Sequence, residues 1–317
     1  MDGWVAKPSR TGPLIRQWAG EFPRLVRLIE RRTFGGHTAF AVTVTDPDAP
    51  GPKAGLLVAQ PHAHEPATTA GMMSFLAQLL TGRDLAGRAA PFDHQLFLRE
   101  AELTFIPDGN PDGRARAPVE AWDGAKYTNE KFLAVAFGTT PAGQRFPRQG
   151  RWSLDDQKPA TIGIVYEQIS PREYVEPNRD ADSTFSRLVR AVLAERRVER
   201  WLSLHQTEFE NSPHNAMILL PFCQAELPKA VRERNEAWGR AVIRAWRAAG
   251  AKPAGDPRPL RYGEDQLRYF RACWSDVYAR TSVITVEIQN NSPLTPPAAQ
   301  MRLQEAAIQA SIEDMLS

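Results

Sequence analysis

Short apolar runs alternate along the chain with longer segments in which apolar residues recur every three or four positions. A continuous apolar run is typical of a strand that is buried on both faces of a sheet. The wider spacing is typical of a helix with one buried face. The runs that predict strands are 40–44 (FAVTV), 55–60 (GLLVAQ), 101–106 (AELTFI), 161–166 (TIGIVY), 198–204 (VERWLSL), 217–222 (MILLPF) and 282–288 (SVITVEI). The segments that predict helices are 14–32 with an interruption at Pro23, 68–80, 183–197, 227–249 and 297–316.

This alternation predicts an α/β fold with a mixed, mostly parallel sheet and helices on both of its faces. No linker rich in Pro, Gly or Ser divides the chain, so we expect a single domain over residues 1–317. Residues from about 114 to 172 mix glycine, proline and charged residues. We interpret this stretch as a less regular insertion that folds against the core.

Composition narrows the function classes by exclusion. The formal net charge is +2, so charge alone would not drive binding to nucleic acid or to an acidic membrane. No apolar run approaches the ~20 residues of a membrane span, and the amino terminus lacks the apolar stretch of a secretory signal. The cysteines, Cys223 and Cys273, are interpreted as packing residues in a reducing compartment. We therefore expect a cytoplasmic protein that binds neither nucleic acid nor membranes.

Polar side chains that could act as ligands, acids or bases follow several of the predicted strands. In open α/β sheets, ligands lie beyond the carboxyl ends of the strands. The residues at such ends are His62 and Glu65 after 55–60, the Asn110–Gly113 turn (NPDG) after 101–106, His205 after 198–204, and Glu287 near the end of 282–288. We expect these side chains to lie near one another at one edge of the sheet.

The spacing of His62 and Glu65 suits a metal site, because positions three apart lie on one side of a helical turn. With His205 as a third ligand, the set of two histidines and one carboxylate is common in catalytic zinc sites. A solvated turn is the alternative for this pattern alone. His64 would pair with His62 if the strand continued, although Pro61 and the proline at position 66 argue against that. A zincin helix is excluded, because the chain does not read HExxH.

Glu287 is informative because it interrupts an apolar strand. A buried carboxylate is costly unless it is paired, protonated or near a metal. A strand face turned to solvent is the other explanation. The motif at 110–113 could also be an ordinary tight turn without a chemical role. The Asn178-Arg179 pair could likewise belong to an ordinary surface loop.

Taken in order, the motifs are QPHAHEPAT, TFIPDGNPDG, EPNRDAD, LSLHQ and TVEIQ. This series resembles the zinc carboxypeptidase family, the metallopeptidases similar to carboxypeptidase A, in a divergent bacterial-type form. The resemblance runs from about Trp18 to the carboxyl terminus and is least clear in the insertion. It implies that His62, Glu65 and His205 bind one zinc ion per chain. It also implies that Glu176 hydrogen-bonds the first zinc histidine and so fixes its tautomer.

The resemblance also assigns roles toward the substrate. It implies that Asn178 and Arg179 hold a terminal carboxylate, for which a guanidinium fork offers parallel charge-assisted hydrogen bonds. Glu287 would be the general base, which takes a proton from the attacking water and passes it to the leaving amine. A pocket for the substrate side chain is expected around 271–275.

The sequence departs from the family pattern in three ways. The family's further arginine could be any of Arg114, Arg116, Arg145, Arg148 and Arg151. Its substrate-capping tyrosine could be Tyr262 or Tyr269, neither of which sits in a clear motif. The stretch from Arg179 to His205 is also shorter than in digestive members, which indicates a divergent branch.

The function implied is a zinc-dependent metallocarboxypeptidase-like hydrolase. It would release a C-terminal residue from a peptide or small amide with a free carboxylate, and it would be active without removal of an inhibitory pro-segment. One alternative is a zinc-dependent N-acyl amino acid deacylase, similar to succinylglutamate desuccinylase or aspartoacylase. Another is a non-catalytic zinc-binding module, against which Glu287 argues.

Overall fold

The computed structural model describes residues 2–208 and 212–317. Its helices are α1 (Pro8–Glu21), α2 (Pro66–Thr81), α3 (His94–Glu100), α4 (Pro111–Arg116), α5 (Asn129–Phe137), α6 (Thr184–Glu195), α7 (Lys229–Ala248), α8 (Glu264–Tyr278) and α9 (Pro297–Leu316), with a 3-10 turn at Gln224–Glu226. Its strands are β1 (Val26–Arg32), β2 (Thr38–Val44), β3 (Ala54–Ala59), β4 (Ala101–Ile106), β5 (Gly138–Thr139), β6 (Arg151–Ser153), β7 (Thr161–Ile162), β8 (Glu167–Gln168), β9 (Glu173–Val175), β10 (Arg200–Thr207), β11 (Ala216–Leu220), β12 (Arg258–Pro259) and β13 (Ser282–Gln289). None of the helices in these ranges has both the length and the apolar character needed to span a bilayer.

The main sheet has the strand order β1-β2-β4-β3-β10-β13-β11-β12. Its centre is parallel, because β4, β3, β10 and β13 pair in one direction. Antiparallel pairs join β1 to β2, β2 to β4, and β13 to β11. The predicted mixed, mostly parallel α/β sheet is confirmed. The four central strands therefore direct their carboxyl ends toward the same edge of the sheet.

Side chains alternate between two apolar cores, one on each face of the sheet. In β3, Leu56 and Val58 face the core that α2, α7 and α9 cover. Leu57 and Ala59 face the opposite core, which α6 and α8 cover. All four side chains are buried, which explains why this strand reads as a continuous apolar run.

The predicted helix over 14–32 is wrong in its second half. α1 ends at Glu21, and 26–32 forms β1, which pairs antiparallel with β2 in the register Val26 to Val44. The apolar residues near Pro23 fit a helical spacing, but backbone pairing with β2 decides the outcome. The predicted strand 161–166 is also shortened, because only Thr161–Ile162 pairs, and it pairs with β5.

The insertion builds a small core of its own. It contains α5, the β5-β7 pair and most of a sheet in the order β6-β9-β8. Trp152 stacks on Tyr174 with ring centroids 4.6 Å apart, and Phe132 is fully buried in the same cluster. Phe137 meets the ring of His64 edge-on at 5.3 Å. The insertion therefore forms a wall beside the loop that follows β3.

Gly55 tests the close packing at the start of β3. A Cβ there would lie 1.8 Å from the carbonyl oxygen of Arg197, where the chain enters β10. We expect Gly55→Ala to lower the free energy of unfolding by about 1–3 kcal/mol, because overpacking forces the two segments apart. Chemical denaturation measures the change. The control is Gly20→Ala in α1, where a Cβ meets nothing within 4 Å; a Gly55→Ala protein as stable as this control would contradict the packing described.

Candidate metal centre

The candidate site lies where the parallel strands end. His205 in β10 and Glu287 in β13 are direct partners in the parallel register. Each lies an even number of residues after a side chain of the α6/α8 core, Trp201 and Val283 respectively. The alternation of strand side chains therefore places the imidazole and the carboxylate on the same face of the sheet.

Three side chains converge on one point at this edge. His62 Nδ1 lies 2.9 Å from Glu65 Oε1 and 3.1 Å from His205 Nδ1. His205 Nδ1 lies 3.2 Å from Glu65 Oε2. Ligand atoms about 2.0–2.2 Å from a tetrahedral zinc ion stand about 3.3 Å apart. The three buried donors fit that geometry and could hold a zinc ion.

His64 offers a second grouping of possible ligands. Single donor atoms of His62, His64 and Glu65 lie within 4.8 Å of one another. However, His64 Nε2 lies 3.5 Å from Glu65 Oε1. This distance is longer than each of the three distances among His62, Glu65 and His205. Burial lowers the pKa of His64 to about 3, so its imidazole is neutral. The shorter distances favour the set with His205.

Glu176 fixes the far side of the first histidine. His62 Nε2 donates to Glu176 Oε1 at 2.7 Å, and Glu176 is fully buried. Burial opposes its ionisation, but Arg179, His62 and Arg148 hold the pKa of Glu176 well below its ordinary value. The ionised carboxylate accepts a hydrogen bond from the Nε2–H of His62 and so keeps the proton on Nε2, which leaves the lone pair of Nδ1 facing Glu65 and His205.

The same electrostatics act on Glu65. Burial would raise its pKa, but the imidazoles of His62 and His205 hold the pKa of Glu65 well below the ordinary value. Burial by itself would lower the pKa of His62, and Glu65 and Glu176 overcome that effect and raise it. The centre is therefore a place where a carboxylate is ionised despite its burial.

Glu287 has the opposite electrostatic behaviour. Burial raises the pKa of Glu287 well above its ordinary value, and the carboxylates of Glu65 and Glu208 raise it further. Its Oε2 atom is buried without a hydrogen-bond partner in the described part of the chain. It lines the same cavity as His62 and His205. The carboxyl group is thus available to exchange protons with a molecule in the cavity.

The cavity is lined by both polar and apolar side chains. Arg148, Asn178 and Arg179 line it beside the converging histidines, and Glu208 lines it near Glu287. Its apolar walls are formed by Phe137, Leu220, Phe222, Leu260, Phe270 and Val283. In α8 the lining residues are Phe270 and Tyr278, which flank the segment 271–275 expected from the sequence.

Arg179 is held in place from several directions. It pairs with Glu176 through Nη1 and donates from Nε to Gln266 Oε1 at 2.9 Å. Its guanidinium lies 4.9 Å from the ring centroid of Phe270 and 5.5 Å from that of Tyr262. Tyr262 lines the cavity and is 38% exposed.

The structure shows which of the remaining candidate tyrosines and arginines line the cavity. Tyr269 packs on Gly150 and accepts a hydrogen bond from Arg268 at 3.0 Å, outside the cavity. The guanidinium of Arg114 donates to the backbone carbonyls of Ala63, Val119 and Glu120. Arg116 likewise donates to backbone carbonyls, Arg145 lies 5.8 Å from the ring of Phe137, and Arg151 pairs with Asp180 and Asp182. Arg148 is the one of these five arginines that lines the cavity.

The NPDG turn has a structural purpose. Asn110 caps α4 by accepting from the Gly113 N–H at 2.9 Å, and its Nδ2 donates to the carbonyls of Ile164 and Val165. Asp112 accepts hydrogen bonds from Thr33, Gly35 and His37 of the β1–β2 turn. The motif therefore joins the insertion and the β1–β2 turn to the carboxyl end of β4.

Comparison with known proteins identifies the family of the chain. The sequence profile of the zinc carboxypeptidase family matches residues 13–179, whereas no curated protein sequence matches the chain. Among solved structures, a metallo-carboxypeptidase from Burkholderia cenocepacia is similar, with 16% identity, a TM-score of 0.58, and coverage of 96% of this chain and 68% of that one.

Two further structures share the fold. A metallo-carboxypeptidase from Pseudomonas aeruginosa, solved with (2-guanidinoethylmercapto)succinic acid, has 16% identity and a TM-score of 0.57 over 98% of this chain and 69% of that chain. The carboxypeptidase A of Helicoverpa armigera has 14% identity and a TM-score of 0.54 over 95% and 71%. The matching profile spans more than half of the 317 residues. The chain belongs to the zinc carboxypeptidase family and is a zinc metallopeptidase.

Proposed function

We propose that this protein hydrolyses the C-terminal amide bond of a peptide or peptide-like substrate with a free carboxylate. The observation that carries the proposal is the convergence of His62, Glu65 and His205 in one cavity with the unpartnered carboxyl of Glu287 and with Arg179. The insertion contributes to that cavity, which supports a single catalytic domain.

In this proposal, His62, Glu65 and His205 hold the zinc ion. When bound, zinc supplies a Lewis acid that polarises the scissile carbonyl and acidifies water toward a pKa of ~7. A bound zinc ion would offset the charge of Glu65 that helps to raise the pKa of Glu287, so the ionised Glu287 would take a proton from the attacking water as the water oxygen bonds to the carbonyl carbon. The same carboxyl then gives the proton to the leaving nitrogen as the C–N bond breaks.

Arg148 and Arg179 bind the negative charges of the reaction. Arg179, with Asn178, binds the terminal carboxylate. Arg148 Nη2 lies 3.3 Å from His62 Nε2, so its guanidinium is near the metal ligands and stabilises the negative charge that develops on the carbonyl oxygen. The apolar side chains that line the cavity favour a C-terminal residue with an apolar side chain.

The two groupings of metal ligands make different predictions. We expect His205→Ala to abolish stoichiometric zinc binding, because it removes one of three converging donors, while His64→Ala retains zinc. Elemental analysis after dialysis against trace zinc measures the metal content. Zinc that stays in His205→Ala and leaves His64→Ala would assign the ion to His62, His64 and Glu65 instead.

The role of Glu287 is tested by the isosteric Glu287→Gln variant. We expect zinc content to stay unchanged and turnover to fall by about 10²–10⁴-fold, because proton transfer is lost and no ligand is removed. Mass spectrometry of a mixed peptide library incubated with zinc-loaded protein measures the loss of single C-terminal residues. Equal trimming by the variant would refute the mechanism. If the wild-type protein trims no peptide but deacylates N-acyl amino acids, the result would show that it is a deacylase.

Arg179→Ala tests recognition of the terminal carboxylate. We expect kcat/KM to fall by about 10–100-fold for peptides with a free carboxylate, because a charge-assisted hydrogen-bond partner is lost. The matching amidated peptides, which are poor substrates from the start, should change little. An equal loss for both substrate forms would remove Arg179 from this role.

A further inference from the structure

Both arginines of the cavity depend on the same buried carboxylate. Arg148 Nη2 donates to Glu176 Oε1 at 2.7 Å, and Arg179 Nη1 donates to the same oxygen. That oxygen also accepts from His62 Nε2. Contacts to a single atom leave each guanidinium plane free to rotate about it, so the carboxylate alone does not orient either arginine.

Gln266, in the first turn of α8, makes the orienting contacts that Glu176 does not provide. Its Oε1 accepts a hydrogen bond from Arg179 Nε at 2.9 Å, and its Nε2 donates to the backbone carbonyl of Arg148 at 3.0 Å. One side-chain amide therefore joins the segment that carries Arg148 to the segment that carries Arg179. A side-chain amide offers both the acceptor and the donor that these two bonds require.

Other contacts of α8 support the same two segments. Trp274 Nε1 donates to the backbone carbonyl of Asn178 at 2.9 Å, and Phe270 lies beneath the Arg179 guanidinium. Tyr269 packs so closely on Gly150 that a Cβ there would lie 2.5 Å from its ring. These residues restrain position, whereas Gln266 bonds to a guanidinium nitrogen and so restrains its orientation.

We propose that Gln266 is a positioning residue for substrate carboxylate binding, which orients Arg179 and aligns it with Arg148. The inference rests on the proposed role of Arg179 in binding the terminal carboxylate. Gln266 does not line the cavity and so acts through the arginines. It also lies outside the residues that the family profile matches, so the family assignment does not supply this role.

The first test measures binding without turnover. Isothermal titration of zinc-loaded protein with 3-phenylpropanoate, an aromatic carboxylate, is compared with titration of the neutral 3-phenylpropanamide. We expect Gln266→Ala to weaken carboxylate binding about tenfold, since a hydrogen bond to a charged group is lost, and to leave amide binding unchanged. Gln266→Glu keeps the acceptor for Arg179 and loses the donor for the Arg148 carbonyl, so we expect a smaller loss.

A double-mutant cycle shows whether Gln266 acts through Arg179. If it does, Gln266→Ala causes no further loss of carboxylate affinity in an Arg179→Ala background. Additive losses would overturn the inference. The matched control is Gln309→Ala, which removes a half-buried glutamine that bonds to Glu313 in α9 and should leave both affinities unchanged.

Turnover gives a second readout that a purely structural role would not produce. We expect Gln266→Ala to raise KM about tenfold for peptides with a free carboxylate and to change kcat less than threefold, with zinc content and melting temperature retained. Equal losses for carboxylate and amide ligands, or a fall in zinc content, would make Gln266 merely structural. A wild-type protein that does not prefer the carboxylate would overturn the proposed role of Arg179 together with this inference, whereas a preference that Gln266→Ala leaves intact overturns the inference alone.

Discussion

The candidate site depends on the ionised carboxylate of Glu176 in a fully buried position. A buried anion is costly unless its charge is compensated and its oxygens are hydrogen-bonded. Here two guanidiniums, one imidazole and the backbone N–H of Asn178 supply those bonds. Each of those partners belongs to a residue that lines the cavity. A single charge therefore sets the tautomer of His62 and anchors Arg148 and Arg179.

Much of the site follows from the sequence because it follows from strand ends. His205 and Glu287 become neighbours once their strands pair in parallel, and His62 and Glu65 belong to the loop after another parallel strand. Predicting the α/β sheet therefore also predicts that these side chains meet at one edge of it. The family motifs are short and lie at these same ends, so their order along the chain was sufficient to recognise them.

Other features depend on contacts between distant segments, which local patterns do not report. The residues of β1 have a spacing that fits a helix, and only the pairing with β2 makes them a strand. Arg148 could not be selected among five arginines, because its distinction is the contact with Glu176. Gln266 carried no motif, since an amide that bonds one side chain and one backbone carbonyl has no sequence signature. The helix α8 is not among the predicted helices, although Phe270, Trp274 and Val277 have a helical spacing.

The NPDG turn has a consequence for how the cavity admits a molecule. The Cα of Gly113 lies so close to the Ile164 carbonyl that even a methyl group would not fit between them, and Asn110 binds the carbonyls of Ile164 and Val165. These contacts attach the wall formed by the insertion to the end of β4. An outward movement of the wall would break both hydrogen bonds of Asn110. Tyr262 also lines the cavity, and its ring is partly exposed. Gly113 and Asn110 therefore hold one boundary of the cavity in a set position, and a molecule that enters must fit against it.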